Sequence, residues 1–227
     1  IKESTKQPQM RSFASSQFPS SYQIDYSVYP TAVKGYYSLT SGRTPILLIH
    51  GLHGSDDIDT NNTATWTYWH SVPTKLKDKD NDVWVLFYIP ANVSNFLTAG
   101  MLKNEINDVL SYYSVSKLDI VSHSMGGLVT MGYLSNLGKD RFGNSVTYGN
   151  NIRKYIAIGS PAHGAFSSNR ILLNMNTAST GCNTLARIFG IDPTDKNAQA
   201  YLDLAVGSEF AWLLHSASFP TTISYLA

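Results

Sequence analysis

One serine, Ser124, lies where the sequence could make its hydroxyl a nucleophile. It stands in the run SHSMGG over residues 122–127, which follows an apolar segment at 118–122 and precedes another at 128–137. A serine hydroxyl attacks carbon only when the backbone holds it clear and a base faces it. A sharp strand-to-helix turn, with small residues two positions before and after the serine, provides that geometry. Gly126 fits this pattern and Ser122 departs mildly from it, so we predict that Ser124 is the catalytic nucleophile.

Attack on an acyl carbonyl would place negative charge on its oxygen, and two backbone amides should then face that oxygen. The residue after the nucleophile supplies one such amide in turns of this kind, which is Met125 here. The second is expected from the run HGLHG at 50–54, where we predict that the Leu52 amide is the donor. Gly51 gives this loop the freedom to aim that amide.

The remaining residues of these two motifs are interpreted as support for the site. His50 and His53 are expected to shape the loop rather than to act as bases. Gly126 allows the strand and the helix of the turn to pass closely, and His123 belongs to the same turn. A glycine turn after a strand is by itself weak evidence for a functional site. The presence of both motifs in one chain favours a functional site.

These residues need strands and helices to position them, and the hydrophobic pattern predicts both. Strands are predicted at Ile24–Tyr29, Lys34–Leu39, Pro45–His50, Val83–Ile89, Leu118–Ser122 and Ile152–Ile158, with another beginning at Thr221. Helices are predicted at Thr65–Lys77, interrupted by Pro73, and at Thr98–Tyr113 and Leu128–Leu137. Strands that alternate with helices indicate parallel β-α-β units, so the fold class is α/β.

Four segments in order carry a resemblance to a known family. They are the turn at 122–127, LIHGLHG at 48–54, IGSPAHG at 158–164, and GSEF at 207–210 followed by two leucines. Together they resemble the lipase/esterase family of the α/β-hydrolase fold, both microbial triacylglycerol lipases and GPI-inositol deacylase-like lipases. The resemblance implies a mostly parallel central sheet with helices on both faces. Short apolar clusters at about 165–218 predict a helical insert within a domain at 22–227, and the resemblance implies that this insert is a lid or cap. The polar residues 1–21 predict a flexible leader.

The resemblance also implies a function. It predicts a serine hydrolase that cleaves carboxylic esters, a lipase or esterase acting on acyl lipids through an acyl-enzyme on Ser124. Two alternatives stay open, because one scaffold serves many chemistries. The same site could perform acyl transfer or thioester hydrolysis, or the chain could be a binding module that kept the fold without catalysis.

The partners of the nucleophile are harder to place. In this fold the acid and then the histidine follow the nucleophile in sequence. After Ser124 the sequence has only His163 and His215. We therefore expect that the chain is truncated at its C-terminus, that the acid and the histidine lie beyond Ala227, and that this chain alone is inactive. The alternative is a rearranged triad that uses one of those two histidines.

Composition limits the classes of binding partner and cofactor that we expect for this chain. The formal net charge is +1, so no strong attraction to nucleic acid is expected. Cys182 is the single cysteine, which excludes an intramolecular disulfide.

No apolar run is long enough to span a bilayer, so we expect at most a transient contact with a lipid interface. No metal or cofactor is expected, since the acidic run at 56–62 lacks the glycine and the last acidic ligand of a calcium loop. The composition suggests a secreted or cell-surface protein.

Overall fold

The computed structural model describes residues 24–36, 43–52, 67–79, 81–89, 93–166, 168 and 199–226. Its strands are β1 (Thr31–Tyr36), β2 (Ile46–Ile49), β3 (Val83–Ile89), β4 (Leu118–His123), β5 (Ile152–Ile158) and β6 (Ser224–Leu226). Its α-helices are α1 (Val72–Lys77), α2 (Asn95–Tyr113), α3 (Met125–Leu134), α4 (Gln199–Leu204) and α5 (Glu209–Ser216). A short 3-10 helix, Thr67–Trp69, precedes α1.

The described strands form one sheet in the order β1-β3-β2-β4-β5-β6. β1 runs antiparallel to β3, and every other neighbouring pair is parallel. β2 and β4 lie side by side at the centre, although the chain visits β3 between them. As a result the loop that follows β2 and the turn that follows β4 meet at one edge of the sheet.

Both faces of the central strands are buried, which explains why these strands consist of continuous apolar runs. Leu47 and Ile49 face the larger core with α2 and α3, whereas Leu48 between them faces a smaller core. Trp69 and the half-buried Leu76 of α1 cover that second face. Helices therefore lie on both sides of a mostly parallel sheet, and the predicted α/β-hydrolase architecture is confirmed.

Helix α2 begins three residues before the predicted start because its first turn is capped. The Ser94 hydroxyl accepts a hydrogen bond from the Phe96 amide at 3.3 Å. The buried carboxylate of Asp203 in α4 accepts from the Asn95 amide at 2.5 Å and from the Ser94 hydroxyl at 2.8 Å. A side chain 108 residues away thus pairs the first open amide at this end of α2.

The predicted elements agree with the structure at the centre of the sheet and differ at its edge. β3 and β5 have the predicted bounds. The prediction of a strand at Ile24–Tyr29 is wrong, since Asp25 there bonds the amide and hydroxyl of Ser27 in a turn. The predicted strand Lys34–Leu39 starts earlier, at Thr31, and pairs with β3.

Helix α3 also starts earlier than predicted, at Met125 rather than Leu128, and it ends at Leu134 rather than Leu137. The two glycines at 126–127 have low helix propensity, which hid this first turn in the sequence. The leader at 1–21 and most of the insert at 165–218 lie outside the described residues. The described part of that insert, residues 199–218, contains α4 and α5.

Candidate active site

Ser124 occupies a tight turn between β4 and α3. Its backbone has φ 53° and ψ −126°, a conformation that costs free energy for any residue with a side chain. Its amide donates to the carbonyl of Ile158 at the end of β5, at 2.9 Å. The serine precedes the first residue of α3 directly, so its side chain lies at the helix N-terminus. The structure places the predicted nucleophile in the strained strand-to-helix turn that the sequence pattern indicates.

The loop after β2 lies against this turn with no room for larger side chains. A methyl group on Gly51 would lie 2.8 Å from Ser124 Cβ and 2.7 Å from the Tyr68 hydroxyl. A methyl group on Gly126 would lie 2.3 Å from the carbonyl oxygen of His50. Glycine at these two positions therefore allows the loop and the turn to meet.

The two backbone amides that are predicted to face an oxyanion belong to Met125 and Leu52. Met125 is the first residue of α3, so its N–H has no carbonyl within the helix to bond. The Leu52 amide follows Gly51 in the loop. Within the described ranges no protein acceptor bonds either amide, whereas the Gly51 amide donates to the Tyr68 hydroxyl at 2.8 Å. The assignment of Leu52 and Met125 as the oxyanion donors stays a prediction.

His50 is fully buried and shapes the loop from inside. Its Nδ1 donates to the Gly51 carbonyl at 2.6 Å, and its Nε2 accepts from the Tyr88 amide at 3.3 Å. The ring stacks on Tyr88 at 4.1 Å, and burial lowers its pKa to about 4. Both nitrogens of this neutral imidazole are engaged, which agrees with a loop-shaping role. His53, the second histidine of the loop, lies outside the described residues.

His123 is half-buried beside the nucleophile. Its Nδ1 lies 2.5 Å from the hydroxyl of Tyr68, which comes from the 3-10 helix on another part of the chain. Burial lowers the pKa of His123 and favours the neutral ring. Tyr68 could not be predicted from the sequence, because it lies 55 residues from His123 and belongs to no motif.

Ser122, which stands where the usual pattern has glycine, has a partner in the structure. Its hydroxyl is buried and donates to the Tyr155 hydroxyl at 3.1 Å. Tyr155 in turn donates to the Gly127 carbonyl at 3.0 Å, and burial raises its pKa to about 12. This chain of hydrogen bonds joins β4, β5 and α3 beneath Ser124. Sequence analysis missed Tyr155 because only strand pairing brings it to Ser122.

The two later histidines lie together, at a ring-centroid distance of 5.2 Å. His163 is exposed in the loop after β5, and His215 is exposed in the last turn of α5. In the part of the chain that the structure describes, neither is hydrogen-bonded to Ser124. Among the carboxylates, Asp203 holds the start of α2 and Asp140 binds the amides of an exposed turn.

An exposed apolar side chain ends β5, and another follows it in the sequence. Ile158, whose carbonyl holds the Ser124 amide, is 47% exposed, and Phe166 shortly after it is 71% exposed. Within the described ranges, no three metal-ligating side chains come together as a metal site would require. None of the helices described is both long and apolar enough to span a membrane.

The sheet order, the strained serine turn and the glycine loop beside it define an α/β-hydrolase. Comparison with known proteins agrees with that class. The family model described as alpha/beta hydrolase of unknown function (DUF915) matches residues 71–180, which include β3, β4, the serine turn and β5.

A triacylglycerol lipase from Vibrio cholerae serotype O1 is 28% identical to the chain over 158 residues. The match covers 70% of this chain and 47% of the lipase, so the chain spans about half the length of this curated relative.

Two solved structures share the fold. The mature form of Bacillus licheniformis lipase BlEst2 superposes with a TM-score of 0.60 at 18% identity, covering 87% of this chain and 69% of the lipase. Phospholipase PlaB from Legionella pneumophila superposes with a TM-score of 0.52 at 16% identity, covering 77% of this chain and 35% of the phospholipase. Both structures agree with the α/β-hydrolase fold of this chain.

Proposed function

We propose that the chain carries the nucleophile and the oxyanion hole of a hydrolase that cleaves carboxylic esters of acyl lipids. The observation that carries this proposal is the position of Ser124. It lies in a strained turn at a helix N-terminus, with the Gly51 loop against its Cβ, and no described acceptor bonds the amides of Leu52 and Met125. A turn that served only to connect β4 to α3 would not need this strain.

The reaction runs through an acyl-enzyme. Ser124 Oγ bonds to the acyl carbon while its proton passes to a general base, and the carbonyl oxygen becomes negative. The amides of Leu52 and Met125 stabilise that charge. Collapse of the tetrahedral intermediate breaks the ester C–O bond, and the leaving alcohol takes the proton. Water then attacks the acyl carbon by the same steps, releasing the acid and restoring Ser124.

Three observations support an acyl lipid as substrate. The apolar side chain of Ile158, whose carbonyl bonds the Ser124 amide, is exposed. The net charge of +1 gives no strong field to select a highly charged substrate. The Vibrio relative is named a triacylglycerol lipase, and this chain is 28% identical to it over 158 residues.

Covalent labelling tests the nucleophile. The full-length gene product is treated with a fluorophosphonate probe, and the labelled peptide is identified by mass spectrometry. We expect one labelled serine, Ser124, and loss of labelling in Ser124→Ala. Hydrolysis of p-nitrophenyl esters from acetate to palmitate is measured in parallel, and kcat/KM should rise with acyl length before it levels.

The matched control is Ser216→Ala, which changes an exposed serine at the end of α5. This variant should be labelled and active like the wild type. A folded wild-type protein with no labelled Ser124 would overturn the proposed function. Labelling of Ser124 with transfer of the acyl group only to alcohols or thiols would replace ester hydrolysis by acyl transfer.

A further inference from the structure

The hydroxyl of Tyr68 joins the two halves of the site. It accepts a hydrogen bond from the Gly51 amide at 2.8 Å and lies 2.5 Å from Nδ1 of His123. Gly51 belongs to the loop after β2, and His123 directly precedes Ser124. We call residues 50–52 the oxyanion loop and residues 122–127 the nucleophile turn. One oxygen atom therefore holds the oxyanion loop and the nucleophile turn at a fixed separation.

The direction of the bond between Gly51 and Tyr68 follows from the groups involved. The Gly51 N–H can only donate, so the phenolic oxygen is the acceptor there. The same hydroxyl forms a second hydrogen bond with Nδ1 of His123, in which the tautomer of the ring sets the donor. The Tyr68 hydroxyl thus bonds both groups at once, and the Gly51 amide is unavailable to a substrate.

The ring of Tyr68 is itself held in place. It packs edge-on against Trp69 at 5.5 Å and against His50 at 5.7 Å. A side chain on Gly51 would collide with the hydroxyl, since an added methyl group would lie 2.7 Å from it. Tyr68 comes from the short helix before α1, outside both the loop and the turn. It can therefore fix one against the other from a third part of the chain.

We infer that Tyr68 is a positioning residue that locks the oxyanion loop onto the nucleophile turn, so that the Leu52 amide and not the Gly51 amide faces the oxyanion. This inference rests on the proposed function. It assigns Tyr68 to transition-state stabilisation through the loop rather than to contact with substrate. Loss of the hydroxyl should therefore lower kcat and leave KM almost unchanged.

The test is Tyr68→Phe in the full-length protein, which keeps the ring and removes the hydroxyl. Loss of a whole oxyanion donor costs about a hundredfold to a thousandfold in kcat. A donor that is merely less well placed should cost less, about tenfold to a hundredfold. We expect that fall in kcat with KM within about twofold of the wild type. Affinity for a trifluoromethyl ketone, which forms a tetrahedral adduct on the serine, should fall by the same factor as kcat/KM.

Tyr133→Phe is the matched control. The Tyr133 hydroxyl likewise accepts from a glycine amide, that of Gly149, at 3.0 Å, and donates to Asn151 at 3.1 Å. It lies in α3 away from Ser124, so its loss should lower stability without changing kcat. Equal kcat values for Tyr68→Phe and Tyr133→Phe, in a wild type that is labelled at Ser124, would overturn the inference alone. A wild type without labelling would overturn the proposed function first.

A second variant covers a failure of Tyr68→Phe to fold. His123→Ala removes the partner that orients the hydroxyl but leaves the bond from Gly51 in place. We expect kcat to fall less than in Tyr68→Phe, about threefold to tenfold, again at constant KM. An unchanged kcat in a folded His123→Ala protein would count against the locking role.

Discussion

Gly51 and Ser124 lie so close that a methyl group on the glycine would be 2.8 Å from Cβ of the serine. No pair of non-bonded carbon atoms tolerates that separation, so the β2 loop can approach Ser124 only because residue 51 has no side chain. In the proposed reaction this contact also sets how near the Leu52 amide comes to a carbonyl bound at Ser124.

Gly51→Ala should therefore damage catalysis more than stability. The added methyl group must push the loop away from Ser124 and from the Tyr68 hydroxyl, and a shift of about 1 Å at a catalytic group can cost about a hundredfold in rate. Overpacking should lower the free energy of unfolding by about 1–3 kcal/mol. Ester hydrolysis and urea denaturation measure the two effects.

The control is Gly149→Ala, whose methyl group would meet the Asn151 side-chain amide at 3.0 Å and the Tyr133 hydroxyl at 3.2 Å. Wild-type kcat/KM in Gly51→Ala would contradict this account of the loop.

Tyr155→Phe should lower the stability of the protein by breaking the hydrogen bonds that support the nucleophile turn. The change leaves the buried Ser122 hydroxyl and the Gly127 carbonyl without their shared partner. An unpaired buried polar group costs about 1–3 kcal/mol, so the midpoint of urea denaturation should fall accordingly. The variant Tyr155→Phe with Ser122→Gly removes one of the two orphaned groups and should recover part of the loss. Additive losses in the double variant would show that the two hydroxyls do not interact.

His50 should make the protein sensitive to mild acid. Its pKa is about 4 in the folded state, against 6.5 for an unperturbed histidine, because the ring is buried. Below pH 6.5 the unfolded chain gains a proton that the folded chain does not, so stability falls as pH drops from about 6.5 to about 4. The pKa difference corresponds to a loss on the order of 3 kcal/mol. Urea denaturation across this range measures it. His50→Asn should be less stable at pH 7 but should show a flatter pH profile, and a parallel profile would contradict the assignment to His50.

Asp203 should contribute strongly to stability, although it lies more than 100 residues from the helix start that it caps. Asp203→Ala removes the acceptor of the Asn95 amide and the Ser94 hydroxyl, and it takes an anion from the N-terminus of α2. We expect a loss of about 2–4 kcal/mol in the free energy of unfolding. The control is Asp119→Ala, which breaks an exposed pair with Arg153 and should cost about 1 kcal/mol or less. Equal losses in the two variants would contradict the role of Asp203 as a buried cap.

The centre of the sheet was predictable from the sequence, and its edge was not. Strands such as Val83–Ile89 are buried on both faces, so their side chains form unbroken apolar runs. Among the described strands β1 pairs only with β3, and the pattern around it matches a turn as well as a strand. The predicted strand at Ile24–Tyr29 was therefore wrong. The first turn of α3 was missed because glycine has low helix propensity. Gly126 is required there because the β2 loop leaves no room for a side chain.

The sequence by itself determined the local backbone pattern of the candidate site. A serine between small residues, followed by a helix, and a glycine loop after an earlier strand predict a nucleophile and two amide donors, because these features depend on local backbone geometry. Only the tertiary structure decided which groups hold that geometry. Tyr68, Tyr155 and Asp203 each act through hydrogen bonds to residues that are 17 to 109 positions away. Such pairs depend on strand order and helix packing, which spacing along the chain does not encode.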